Sequence, residues 1–205
     1  KSYYVRGTFT AKNLDFANYW VAKHNSTPEL KSFSDTFLND VAYDKNENPI
    51  YTIDSTEDLY EFAIRSKYEN FKNSTVQLGA DIVANEGTAT ENGWTENDSP
   101  TAWLPIGSND KPFAGTFDGQ GHTISGLYAK VFGSPLAMFT NTDQSCTIKN
   151  LRLVNTYFEA SGLDSLASFV GTGGGKFYQL YSDAILECKG EKVAGLASRI
   201  QKASK

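Results

Sequence analysis

Residues 103–127 read WLPIGSNDKPFAGTFDGQGHTISGL, and the class of fold follows from their pattern. Glycines at 107, 115, 119, 121 and 126 divide it into short runs of alternating apolar and small polar residues. That is too glycine-rich for a helix and too closely punctuated for ordinary hairpins. Its tail, TISGL at 123–127, is echoed by TIKNL at 147–151, which sets Ile124 against Ile148 and Leu127 against Leu151 at an offset of 24 residues. A looser third copy, FYQL at 177–180, sets Phe177 against Ile148 and Leu180 against Leu151 at an offset of 29. Self-similarity at twenty-odd residues predicts a solenoid, in which each unit buries its apolar face only by stacking on the next.

The order W-x-P-I-G, then F-x-G-x-F-D-G-x-G-H-x-I-x-G-L, then I-K-N-L resembles the opening rungs of the GLUG-type repeat domains of bacterial secreted and surface proteins. The preceding STEDLYEFA and TVQLGADI resemble the segment that leads into them, so the likeness runs from about Ile53 to Leu196. It is densest from Trp103 to Leu151. The family's G-G-L-V-G step survives only as LASFVG at 166–171 and VAGLAS at 193–198, with Ala or Ser in place of Gly. The resemblance implies a right-handed parallel β-helix on the extracellular side or surface of a bacterium, joined to further domains of a larger protein.

Composition narrows the function classes. The 205 residues carry 24 acidic and 19 basic side chains, interspersed along the chain, for a net charge of −5, which provides no electrostatic footprint for nucleic acid. No apolar run approaches the roughly 18 residues of a membrane span, so no membrane insertion is expected of this segment. Two cysteines are too few for a disulfide scaffold and lack metal-ligand spacing. The only histidines are His24 and His122, which excludes an imidazole cluster, and no metal or cofactor is predicted.

Two regions follow from the patterning. Residues 1–50 read as a partly helical cap or linker. Asn13 caps one helix striped by Leu14, Ala17 and Val21, and Thr27 with Pro28 opens another striped by Leu30, Phe33, Phe37 and Val41. Residues 51–205 read as the β-helix. Ser55 followed by Asp58 is a capping-box spacing, and a helix over 55–66 with Leu59, Phe62 and Ala63 on one face would cover the solenoid's first rung. TVQLGADI at 75–82 supplies a rung strand with Val76, Leu78 and Ala80 on one side and a bend near Gly79. Residues 84–100 form a long acidic loop thrown out from the wall. A fresh rung begins at VAGLAS with no closing unit after it, so the chain is expected to be part of a longer protein.

The candidate chemistry is sparse. Asp118, Gly119, Gly121 and His122 are read as turn residues, with Asp118 bonding to its own backbone and His122 to a neighbouring coil; Ile124, Leu127, Ile148 and Leu151 are read as rung residues. A sugar-cleaving β-helix needs two carboxylates about 5–9 Å apart. Asp118 with Asp143, near one repeat on, is the pair that would serve a polysaccharide lyase or glycoside hydrolase. GTGGGKF at 171–177 departs from a phosphate loop, because Phe177 stands where Ser or Thr is required. With no catalytic constellation, the leading expectation is a non-enzymatic module that serves as spacer, adhesive surface, or glycan or protein binder. Its binding residues are sought in the loop, at Trp94 with Glu91, Glu96 and Asp98. Trp94 is either an exposed stacking ring or a ring folded back onto the wall. The loop's acids disfavour an anionic partner, so a neutral glycan or a surface protein of host or bacterium fits better.

Overall fold

The structure is a computed structural model that describes residues 41–96, 99–132, 135–161, 165–188 and 193–200, together with two short strands before them. Those two, β1 (Trp20–Val21) and β2 (Glu29–Leu30), pair antiparallel. The helical stripes read over 13–21 and 28–41 are therefore corrected at these four residues. Trp20 pairs with Leu30 and Val21 with Glu29, in keeping with the strand preference of Trp and Val. Val41 is not helical either, and the rest of the two predicted helices, with His24, lies outside the described residues.

From residue 49 onward the chain winds as a parallel β-solenoid of about five turns. A small hairpin leads in: β3 (Ala42–Tyr43) pairs antiparallel with β4 (Pro49–Ile53) around a turn in which Asp44 accepts from the backbone of Asn46 and Asn48. β4 is the first strand of the first face. It is followed on successive coils by β5 (Thr75–Leu78) with β6 (Ile82–Val83), then β9 (Thr116–Asp118) with β10 (Thr123–Ser125), then β13 (Thr147–Val154) and β17 (Lys176–Ser182). Between β6 and β9 the loop carries an antiparallel hairpin, β7 (Thr88–Thr90) with β8 (Gly93–Thr95). The second face stacks β11 (Tyr128–Phe132), β14 (Tyr157–Ser161) and β18 (Ile185–Cys188). The third stacks β12 (Phe139–Thr142), β16 (Val170–Gly173) and β20 (Ala197–Ile200), beside the short pair β15 (Leu166–Ala167) and β19 (Val193–Ala194).

Side chains alternate about each wall, so every second residue enters the core. On the first face Val76, Phe117 and Ile148 are fully buried in one stacked row, with Tyr51 before them and Phe177 after. Ile82, Ile124 and Leu153 form a second row. The other faces contribute Ala129 over Phe158 over Leu186, and Phe139 over Val170 over Ala197. Val76 and Leu78 point inward as expected, and the chain bends at Gly79 and Ala80.

The register differs from the sequence expectation. Ile124 does not meet Ile148; it pairs with Leu153, and Ile148 pairs with Phe117. Leu151 instead meets Leu180, and Phe177 lies against Ile148, as the third copy predicted. From the third coil to the fifth the first face thus repeats every 29 to 31 residues, since Thr116 pairs with Thr147 and Thr147 with Lys176. The reason is local. Gly126, Asn150 and Gln179 all have positive φ, at 77°, 54° and 54°. TISGL and TIKNL are alike because each is a short strand running into a left-handed corner, but Gly126 ends the first face whereas Asn150 kinks its middle.

The helix α1 (Thr56–Arg65) connects β4 to β5 and closes the end of the stack. Ser55 accepts from the Asp58 backbone and Asp58 from that of Ser55, so two orphan amides are satisfied reciprocally. Its buried face sets Phe62 against Phe71, Phe113 and Phe117 at centroid distances of 5.0, 5.9 and 5.8 Å. Tyr60 meets Trp103, whose ring is buried and donates to the Met138 carbonyl. The apolar end of the ladder, which would otherwise meet water, is covered by these rings.

Candidate functional site

The long loop does not float free of the wall. Asn85 clamps its base, donating to the carbonyls of Thr101 and Gly126 and accepting from the Thr101 amide. Asn155, in a left-handed corner two coils on, accepts from the Ala89 amide and donates to the Gly87 carbonyl. These bonds lay the β7–β8 hairpin along the outside of the second face. Neither asparagine is legible in this role from the sequence; for Asn155, at φ of 47°, the one available signal is an amide residue at a corner, where αL geometry is tolerated.

So positioned, Trp94 is half-buried. Its Nε1 donates to the Glu86 carbonyl at 3.1 Å, and its ring meets Tyr128 edge-on at 5.8 Å. Tyr128 stacks nearly parallel on Tyr157 of the next coil, at 5.8 Å and 17°. The three rings thus form a continuous aromatic row from hairpin to wall. Beside it runs a charged row one step along the same strands, in which Lys130, Glu159 and Glu187 are in register on three coils. Lys130 Nζ lies 2.8 Å from Glu159 and 5.4 Å from the centre of the Tyr157 ring. The Tyr157 hydroxyl donates to Glu159 at 3.0 Å. Glu159 holds the Lys130 ammonium above its usual range. Burial, reinforced by the two glutamates, pushes the Tyr157 phenol well up, so at neutral pH it is a hydrogen-bond donor and not an anion.

The sequence-derived residues distribute as follows. Trp94 joins the aromatic row, while Glu91 and Glu96 are exposed on the hairpin; Glu96 accepts from the Thr88 hydroxyl and has φ of 64°. Asp98 lies outside the described residues. His122 reaches Asp81 on the preceding coil, at 3.2 Å. Gly119 marks a close approach of two coils, since a Cβ there would stand 2.4 Å from the Asn150 carbonyl oxygen.

Asp118 and Asp143 are not brought together, which corrects the hydrolase pairing. The residue one coil on from Asp118 is Lys149, at 2.8 Å, and Asp118 also accepts from Gln120 and Asn150. Burial opposes ionisation, yet the Lys149 contact and these donors together hold its carboxyl below the usual range. Such a carboxylate is committed to the wall. Asp143 belongs to the corner before β13 and accepts from Ser145. The misalignment has the same source as the register error: the offset of 24 pointed to the wrong corner.

No family model matches the chain, and no solved structure matches it. Among curated proteins, halomucin of Haloquadratum walsbyi (strain DSM 16790 / HBSQ001) is 29% identical over 130 residues. The match covers 63% of this chain and 1% of halomucin.

Proposed function

We propose that this β-solenoid is a non-enzymatic module of an extracellular or cell-surface protein, and that it binds a neutral glycan along the outer second face. The observation that carries the reading is the Trp94–Tyr128 ring pair fixed beside Lys130, Glu159 and Glu187. Sugar rings present apolar faces and hydroxyl edges. A rigid aromatic platform with charged donors and acceptors at its margin meets both at small entropic cost. The exposed Glu91 and Glu96 on the hairpin disfavour an anionic chain there. The partial likeness to halomucin, a protein named as a mucin, supports a surface location, as does the resemblance to GLUG-type repeats.

The test is a glycan array followed by titration of each hit. Wild type should retain neutral glycans, and Trp94→Ala should weaken binding about tenfold or more, as loss of a stacking anchor does. Its melting temperature should stay within a few degrees, because Trp94 packs on the wall and not in the core. Trp94→Ala that binds like wild type, or a wild type that retains no glycan, removes the proposal.

A further inference from the structure

On the third face, away from the aromatic row, a cavity of about 240 Å³ opens at the end of β12. It is lined by Asn109 of the second coil, Asn141, Thr142, Asp143 and Gln144 of the third, and Thr172 of the fourth. Asn141 is the unusual member. It is only 8% exposed, and its Nδ2 donates to Asn109 Oδ1 at 2.5 Å. Its own Oδ1 is fully buried with no hydrogen-bond partner. A buried amide oxygen without a donor is costly, and native interiors seldom keep one. Asp143 spends Oδ1 on the Ser145 amide and hydroxyl, at 2.9 and 2.7 Å, and leaves Oδ2 outside those bonds. The Thr142 hydroxyl donates to the Gly174 carbonyl and lies beside the Cys146 thiol.

The lining is therefore rich in oxygen acceptors, with one carboxylate and no aromatic ring. The missing ring argues against a sugar, which needs a platform. Among the described residues no three His, Cys, Asp or Glu converge, so a transition-metal site of that kind is not on offer. A mixed set of amide, hydroxyl and carboxylate oxygens matches the irregular six-to-eight-fold coordination of Ca²⁺ better than the strict octahedron of Mg²⁺. We propose that this cavity is a Ca²⁺ site in which Asn141 Oδ1 and Asp143 are the principal protein ligands and water completes the shell. With a single carboxylate, the affinity belongs at the weak, extracellular-module end, about 0.1–1 mM. Bound there, the ion would tie three successive coils at one corner.

The experiment uses the whole chain after dialysis against a chelator. It combines calorimetric titration with CaCl2 or MgCl2 and thermal melts at constant ionic strength. Wild type should bind Ca²⁺ in preference to Mg²⁺ and melt a few degrees higher in about 10 mM CaCl2. Asp143→Asn keeps an oxygen for the Ser145 bonds, so it should fold normally and lose the Ca²⁺ shift. Asn141→Asp should melt lower without metal and be rescued by Ca²⁺ at concentrations at least about tenfold below those wild type requires. If wild type gives no heat with CaCl2, or Asn141→Asp is destabilised without rescue, the cavity holds water only and the proposal is overturned.

Discussion

At the scale of single residues, the glycines of the 103–127 stretch are not equivalent, although they look so in the sequence. Gly126 has φ of 77°, and a Cβ there would fall 2.2 Å from the Asn85 carbonyl oxygen and 2.7 Å from its amide nitrogen. Gly121 has φ of 85° with nothing within 4 Å of the same position. Gly121→Ala should therefore cost only left-handed strain, about 1–2 kcal/mol. Gly126→Ala adds a clash with backbone that cannot yield without moving the loop clamp at Asn85. Chemical denaturation should rank Gly126→Ala clearly below Gly121→Ala, and equal midpoints would contradict this geometry. The same corner logic makes Asn150 and Gln179 legible only afterwards. Both sit at positive φ in the middle of the first face, where a sequence offers no sign beyond an amide side chain.

Among the elements, α1 is the one whose beginning was written most plainly. Ser55 and Asp58 stand at the capping-box spacing, and both reciprocal bonds form. Ser55→Ala should lower stability by about 1 kcal/mol, as removal of an N-cap usually does, without altering the solenoid's circular dichroism. An unchanged unfolding midpoint would show that the helix end is held by packing alone. The β7–β8 hairpin is the opposite case. Its sequence, TATENGWT, contains the Asn-Gly turn signal, yet its acidic flanks read as an open loop. What decides its place is Asn155, more than sixty residues later, whose two hydrogen bonds pin it to the fourth coil.

For the whole molecule, the cap and core predict a particular alkaline profile. Lys67, just past α1, places its ammonium on the carbonyls of Pro105 and Gly107, and burial lowers its pKa from 10.5 to about 8. Between those values the unfolded chain binds more protons than the folded one, so stability rises with pH. Cys146 has the opposite sign: burial raises its thiol from 9.0 to about 12, the folded state keeps the proton longer, and stability falls above pH 9. Tyr60, raised from 10.0 to about 12 by burial, adds to the fall. Unfolding midpoints should accordingly climb from pH 8 to about 9, level off while the lysine and the thiol oppose each other, and decline above about pH 10. Lys67→Met should abolish the climb and leave the decline. A wild-type profile that falls steadily from pH 8 would mean that the two carbonyls stabilise the ammonium more than burial opposes it.

The sequence alone determined the class of fold. Glycine-broken alternating runs that recur along the chain cannot bury their apolar residues in isolation, so they must stack, and the capping box marks where the stack is covered. It also separated core from surface on most rungs, because side-chain alternation along a strand is a local property. Register and site needed the tertiary structure. At Gly126, Asn150 and Gln179 alike a left-handed residue interrupts or ends a short strand run, so matching motif to motif cannot distinguish one such place from the next. Ile124 thus found Leu153 and not Ile148, and Asp118 found Lys149 and not Asp143. The pairing of Trp94 with Tyr128, and of Lys130 with Glu159, joins residues from different coils. Their meeting depends on coil length and on clamps such as Asn85 and Asn155, which act through space and leave no periodic trace in the chain.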